Sequence, residues 1–455
     1  MTLILSTDRP RLASELVATV RLALPLVLGQ LSTIGMNLID TVLAGHLDAH
    51  TLGAVALGSN VWVLALIIII GMMMALQPSI AQLRGAGREQ DIGPLFRQGL
   101  WLAVPMGVLL GLATAFVAPL LFNGIGVDAS LVDDASAFLR AIAWGAPALA
   151  VFFVLRGLSE GMGLTRPTMY FSLLGLTLLG PIGYVLMYGA LGVPRMGAMG
   201  CGFATAIVLW VQCLVFALYL ARRRRYRNLD LLARFDRPDL RTIGELVHIG
   251  GPIAITLLME AGLFVAVALA IGKLGTDIIA SHQIAINIAS VAFMVPLGIA
   301  MATTVRVGHA RGRDDALGVR QAGAVGLALT LCMQVISATV LFTVPQRIAS
   351  MYTSDAAVVA LAAQLLTLAA IFQLSDGVQA ASNGALRGLK DTRVPMLITG
   401  FAYWGVGMPV GWWLAFPSGL GARGMWMGLI AGLSVAAVLL TMRFWGIVNR
   451  LSARA

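Results

Sequence analysis

Leu24–Gly45 reads LPLVLGQLSTIGMNLIDTVLAG, and two features of it decide the fold class. It is long and apolar enough to cross a bilayer as a helix, which takes about 20 residues. It also carries Asp40 well inside the apolar run. An Asp at the centre of a membrane helix costs about 2.5–3.5 kcal/mol on insertion scales, so an acid kept there is expected to serve a function. The pattern recurs in GGPIAITLLMEAGLFVAVALAIG, which holds Glu260, and in IFQLSDGVQAASNGALRG, which holds Asp376. Three acids in apolar helices, with few basic residues expected at comparable depth, predict an interior that receives cations.

The composition agrees. The chain is 59% hydrophobic and 11% charged, with a mean hydropathy of +0.89. Soluble domains carry roughly a quarter charged residues, so a soluble enzyme or binding module is excluded. The net charge of +10 comes from arginines in short connections between apolar runs. That is the signature of membrane topology rather than of nucleic-acid binding. Cys201, Cys213 and Cys332 fall in apolar segments without a CxxC spacing and are read as small core residues. The opening MTLILSTDRPRLASELVATV lacks a short apolar stretch followed by a small-residue cleavage site, so the first helix is expected to be retained. There is no GxxxxGK[ST] phosphate loop, and the expected energy source is an ion gradient.

Twelve apolar segments approach or exceed spanning length: 16–45, 52–80, 93–122, 133–158, 168–191, 196–221, 243–272, 278–306, 316–344, 357–386, 394–416 and 421–448. The predicted fold is an all-α membrane protein of twelve transmembrane helices in two parallel, pseudo-twofold six-helix lobes. The N-lobe takes 1–221, the C-lobe 242–455, and 222–241 forms a polar inter-lobe loop expected to lie on an anionic leaflet. With the N-terminus inside, 26 of the 31 Lys and Arg residues fall on the inner side, including Arg156, Arg234, Arg387 and Arg454. That bias predicts cytoplasmic termini.

A single constant offset superimposes the halves. It pairs Pro25 with Pro252, Gly35 with Gly262, Gly71 with Gly298, Gly157 with Gly384, Gly161 with Gly388 and Thr165-Arg166 with Thr392-Arg393. A register held from Pro25 and Pro252 as far as Met169 and Met396 indicates duplication. Six helices per half make the repeats parallel, with a binding site expected where they meet. The acids break the symmetry: Asp40 falls on Val267, Glu260 on Thr33 and Asp376 on Leu149. Glycines and prolines are therefore read as shared scaffold, and each acid as chemistry of one lobe.

Gln30, Thr33 and Asn37 share a helical stripe with Asp40 at spacings of ten, seven and three. The stripe suits a proton or cation site, with a polar packing contact as the alternative. Pro25 removes a backbone bond and permits a bend in the same helix. Glu260 and Asp376 form a second candidate site. Close carboxylates in low dielectric share a proton or hold a cation such as Na+. Thr256, Gln283, Asn287, Ser375 and Gln379 are candidate polar neighbours. A salt-bridged structural role is the alternative, although Lys273 is too far along its helix to supply it. His46, Asp48 and His50 are read as a solvated turn, since no fourth metal ligand is near. Met72–Met74, Trp404, Trp412 and Trp413 are read as packing or interfacial anchors, with a greasy substrate path as the alternative.

Three stretches carry a family resemblance: PLVLGQLSTIGMNLIDTVLAGHLDAHTLGAVALG, SHQIAINIASVAFMVPLGIAMATTVRVGHARGR and FQLSDGVQAASNGALRGLKDTRVPM. The chain resembles the multidrug and toxic compound extrusion (MATE) transporters of the bacterial NorM-like branch over essentially its full length. The resemblance implies two six-helix lobes around a cleft and export of organic cations in exchange for Na+ or H+. On that pattern Asp40 matches the N-lobe acid, and Glu260 and Asp376 match the C-lobe acids. Two departures stand out. Leu179 and Gly183 flank Pro181 where the family often has asparagines, so Asp40 is expected to lack amide partners and simple protonation there becomes the more plausible reading. Phe293 replaces a tyrosine found in some relatives.

The expected function is therefore secondary antiport, not catalysis, in a bacterial inner membrane. The substrates would be amphipathic cationic drugs or dyes, with no cofactor besides the coupling Na+ or H+. Membrane lipid is the expected surrounding partner, nucleic acid is not expected, and the chain is read as a monomer. The alternative is a flippase for a lipid-linked precursor, whose pyrophosphate would call for buried Arg or Lys.

Overall fold

Long helices carry most of the chain, because a backbone in lipid must satisfy its own hydrogen bonds. The computed structural model describes residues 9–117, 120, 122, 128–231 and 236–453. Arg234, Arg454 and the first eight residues lie outside them. The first half contains α1 (Arg9–Leu47), α2 (Ala49–Met73), α3 (Leu76–Gly85), α4 (Ile92–Leu112), α5 (Ala129–Ala143), α6 (Ala146–Gly161), α7 (Arg166–Tyr188) and α8 (Gly197–Arg222), then a short α9 (Arg224–Arg227). The second half contains α10 (Leu240–Gly272), α11 (Thr276–Gly312), α12 (Ala316–Thr343), a short α13 (Pro345–Ser350), α14 (Ala356–Gly388), α15 (Arg393–Gly400), α16 (Met408–Ala415) and α17 (Ala422–Ser452). A π-helical turn, Phe401–Gly407, joins α15 to α16.

Among the described residues eleven helical spans are long and apolar enough to cross a membrane, and the bent pair α5–α6, taken as one span, makes a twelfth. The fourth expected segment is thus broken by 44° at Trp144–Gly145. Gly145 permits the break by close approach, since a Cβ there would lie 2.8 Å from Leu209 Cδ1 and 3.0 Å from Ala206 Cα.

The chain packs as two compact units, Leu28–Ala254 and Met1–Val27 with Ile255–Ala455. This differs from a division at 222–241. The cuts fall inside α1 and α10, at matched places in the repeat just beyond Pro25 and Pro252. Each unit therefore includes the head of the other half's first helix, and the repeated glycines show why.

A Cβ on Gly298 would lie 2.8 Å from the Val27 nitrogen, and one on its repeat mate Gly71 would lie 2.3 Å from Ala254 Cα. Gly161 and Gly388 repeat the correspondence: a Cβ on either would lie 2.8 Å from the Cβ of Ile80 or Val307, respectively. Ile80 and Val307 are themselves mates in the repeat.

In the second unit the head of α1 is further held by Arg306, whose Nε donates to Glu15 Oε1 at 2.7 Å, and by an Arg11–Asp315 ion pair. Ala23 and Leu26 pack there on Ile299, Met301 and Ala302.

The described part of the inter-lobe connection is fastened to α4. Arg97 Nε donates to Asp236 Oδ2 at 2.6 Å and its Nη1 to the Asp230 carbonyl at 2.6 Å. Gln98 donates to the Arg237 carbonyl and accepts from the Asp239 N–H. Tyr226 pairs with Ser159 at 2.8 Å, and burial pushes the tyrosine hydroxyl up to about 12. Hydrogen bonds from Thr242 and Arg241 hold the exposed Asp239 carboxyl below the usual carboxylate range.

Candidate functional site

In the unit formed by Met1–Val27 and Ile255–Ala455, Asp376 is 4% exposed on α14, and its Oδ1 has no hydrogen-bond partner among the described residues. Glu260 on α10 is half-buried and close enough for its charge to act on Asp376 and on Arg387. Tyr403 is fully buried in the π-helical turn within reach of both acids, and its hydroxyl is likewise without a partner among the described residues. A π turn inserts one residue into the helical register and often marks a functional position.

Neighbouring polar side chains are tied down. Ser375 pairs with Ser434 at 2.7 Å, and Gln334 donates to the Gln373 carbonyl at 2.7 Å. Gln379 is buried one turn beyond Asp376, and Thr256 is buried on α10. Gln283 and Asn287 are exposed on α11, and Phe293 is half-buried. Trp404 donates to the Met259 carbonyl at 3.2 Å, whereas Lys273 sits over the Trp412 ring, 5.7 Å from its centroid.

Buried acid oxygens that lack donors are costly unless a cation or proton compensates them. Two carboxylates and a phenol offer the hard oxygens that Na+ accepts. Among the described residues no three His, Cys, Asp or Glu side chains converge, so the set does not suit a transition metal.

In the unit Leu28–Ala254, Asp40 accepts a hydrogen bond from Thr205 Oγ1 at 3.3 Å and another from the Cys201 thiol. Its Oδ1 has no partner among the described residues. Both donors come from α8. They replace the missing amides: Leu179 is packed against Ala204 and Val208, and Gly183 makes room for Leu43. Cys201 is thus more than a small core residue. Cys332, also expected in the core, is exposed.

The polar stripe of α1 divides between environments. Gln30 accepts from Arg156 Nη2 at 2.9 Å, while Thr33 and Asn37 are exposed. His46, Asp48 and His50 work locally. Asp48 caps α2 by accepting from the Thr51 N–H and pairs with Arg195, and His50 pairs with Asp134.

One buried network and the depth of two arginines were not legible in the sequence. Arg156, counted on the inner side at the end of segment 133–158, is 6% exposed inside α6, and its Nε lies 2.6 Å from Glu160 Oε1. Glu160 is 2% exposed and also accepts from Gln77 Nε2 at 3.0 Å. Arg387, assigned to the inner side, is half-buried within α14. Basic residues therefore do occur at depth.

The sequence model of the MatE family matches twice, over residues 25–186 and 252–413. The chain belongs to the MatE family. Its two matched copies start at Pro25 and Pro252 and keep the offset of the internal repeat from end to end.

MatE membership is equally plain in individual relatives. The probable multidrug resistance protein NorM of Xanthomonas campestris is 51% identical over 447 residues, covering 98% of this chain and 97% of the relative. Multidrug resistance protein PmpM of Pseudomonas aeruginosa is 41% identical, covering 95% and 92%. Two solved structures share the MatE fold. One is an outward-facing multidrug resistance MATE family transporter of the MOP superfamily, with TM-score 0.89, 21% identity and coverage of 98% and 99%. The other is the eukaryotic MATE transporter AtDTX14, with TM-score 0.87, 19% identity and coverage of 97% and 99%.

Proposed function

We propose that this MatE protein is a multidrug efflux antiporter that exports amphipathic organic cations in exchange for Na+ or H+. The observation that carries the reading is that Asp40 Oδ1 and Asp376 Oδ1 have no hydrogen-bond partner among the described residues, in membrane-spanning helices of a chain whose relatives are named multidrug resistance proteins. Asp40, Glu260 and Asp376 alternate between holding the coupling cation and releasing it. Neutralised, they favour the state that releases drug outside; ionised, they attract a cationic drug. Gln283, Asn287, Phe293 and Gln379, with Thr33 and Asn37 on α1, are the proposed cavity positions, and Pro25 is the proposed bend.

The proposed location is a bacterial inner membrane, with both termini cytoplasmic, lipid as the surrounding partner and a monomer as the working unit. The 26-to-5 arginine and lysine bias supports that orientation, with Arg156 contributing to it from a buried position and Arg387 from a half-buried one. A flippase for a pyrophosphate-bearing lipid gains nothing from these arginines, because Arg156 is neutralised by Glu160 and Arg387 faces Glu260.

The test is efflux of a fluorescent cation from proteoliposomes under separate Na+ and pH gradients. Loss of Na+-driven efflux in Glu260→Gln supports sodium coupling at the α10–α14 acids. Efflux driven only by pH and lost in Asp40→Asn assigns coupling to α1. Absence of gradient-driven efflux by the reconstituted wild type would sink the antiporter reading.

A further inference from the structure

The connection that follows α8 closes a cavity of about 300 Å³ against α4, α6 and α8, wholly within the unit Leu28–Ala254. Its wall is largely apolar: Phe96 of α4, Leu155 of α6, Leu220 of α8 and Leu231 of the connection line it and are all buried. Tyr226 lines it too, with its hydroxyl paired with Ser159 at 2.8 Å. Such a wall gives water few partners, whereas a hydrocarbon chain matches it.

The place of the cavity along the helices suits that chain. Phe96 lies about one turn inside α4, and Ala217, which also lines the cavity, lies about one turn before the end of α8. Beyond it the same two helices carry exposed apolar side chains that face lipid in a bilayer, Val104 and Val108 on α4 and Leu214 and Leu218 on α8. The cavity thus begins where headgroups give way to hydrocarbon.

Charge selects the lipid. Arg227 and Asp230 stand at the mouth, both exposed, and the exposed Arg222–Arg225 lead up to them. Arg223 lies over the Tyr219 ring, 5.0 Å from its centroid, and that ring packs edge-on against Tyr226 of the cavity wall. Among the described residues none of these arginines makes an ion pair, whereas Arg97 nearby is held by Asp236 and the Asp230 carbonyl. Arg222–Arg225 and Arg227 outnumber the carboxylate of Asp230, a surplus that attracts a phosphate and repels a lipophilic cation.

We propose that this cavity takes one acyl chain of an anionic phospholipid, whose phosphate is held at the mouth by Arg227 and the arginines before it. The proposal requires only that the chain sits in a bilayer, so it stands or falls separately from antiport.

The experiment titrates the full chain in detergent with dioleoylphosphatidylglycerol and, separately, with dioleoylphosphatidylcholine, and counts bound lipid by native mass spectrometry. One phosphatidylglycerol should be retained about tenfold more tightly than phosphatidylcholine. Arg227→Gln should weaken phosphatidylglycerol about fivefold, the effect of one cation near the surface, and leave phosphatidylcholine unchanged. Ala217→Phe, which puts a ring into the cavity, should abolish the tight site. Glycerol phosphate, the headgroup chemistry without chains, should not compete.

Equal affinity for the two lipids would overturn the proposal. Competition by glycerol phosphate would do the same, since the arginines would then bind a headgroup without a chain. Tight phosphatidylglycerol binding by a folded Ala217→Phe would place the lipid elsewhere, and displacement of the lipid by a lipophilic cation would make the cavity a drug site instead. Should Ala217→Phe not fold, the exposed Arg227→Gln decides: unchanged phosphatidylglycerol affinity there also overturns the proposal.

Discussion

Glu160 shows how much a single buried side chain is held by its neighbours. Arg156 and Gln77 both donate to it in the interior of the unit Leu28–Ala254. Removing one member of a buried ion pair strands the other and costs about 3–5 kcal/mol. Glu160→Gln is therefore expected to lower the melting midpoint sharply in detergent, and Arg156→Met combined with Glu160→Leu to recover most of the loss. A melting curve for Glu160→Gln that overlays the wild type would show that the pair contributes nothing. The same residues mark what could be read in the sequence. Asp40, Glu260 and Asp376 stood out because each lies in the middle of an apolar run. Arg156 and Glu160 straddle the end of the segment 133–158, where a charge is indistinguishable from a loop charge until packing buries it. Tyr403 was hidden differently: nothing in FAYWGVG announces a π turn, and an aromatic beside tryptophans looks like one more anchor. Cys201 met Asp40 only through the pairing of α1 with α8, which no local pattern encodes.

At the scale of helices, the repeat glycines carry the packing that the shared register of the halves implied. A side chain at Gly161 or Gly388 would meet the neighbouring Ile80 or Val307, so overpacking of about 1–3 kcal/mol is expected for Gly161→Val and for Gly388→Val. Gly272→Ala, with nothing within 4 Å of the added atom, should leave thermal stability nearly unchanged. Similar loss in all three would mean that close approach is not what these glycines provide. The entry to α10 offers a pH test. Thr242 and Arg241 lower the pKa of Asp239, so the stabilisation is complete above the unfolded carboxylate value of about 3.9 and is lost as pH falls through the lower folded value. Hydrogen-exchange protection of the first turn of α10 should drop across that window in the wild type. In Asp239→Ala protection should be low throughout, and a pH-dependent drop persisting there would assign the effect to another group. Helix number and order were legible from hydropathy alone. The break between α5 and α6 was not, because WG reads as continuous apolar sequence while Gly145 matters only through its approach to α8.

For the whole molecule, the cuts at Val27 and Ala254 make each compact unit depend on both halves of the chain. Residues 1–227 expressed alone lack Leu240–Ala254, and residues 228–455 alone lack the α1 head with its Glu15–Arg306 contact. Neither fragment is expected to accumulate by itself, and their co-expression should restore a complex that co-purifies through a tag on either. Stable, monodisperse accumulation of one fragment alone would contradict this. A division at the one polar connection is the natural choice when only loop composition is visible. The exchange of helix heads is carried instead by Gly71 and Gly298, whose bare backbones admit Ala254 and Val27.

That exchange has a consequence in time. A ribosome adds about 5–20 residues per second, so the head of α1 leaves the tunnel roughly 15–60 s before Ile299–Asp315 are made. Through that interval Ala23, Leu26 and Glu15 have none of their eventual neighbours on α11. The head of α1 thus waits for its place until α11 has been made.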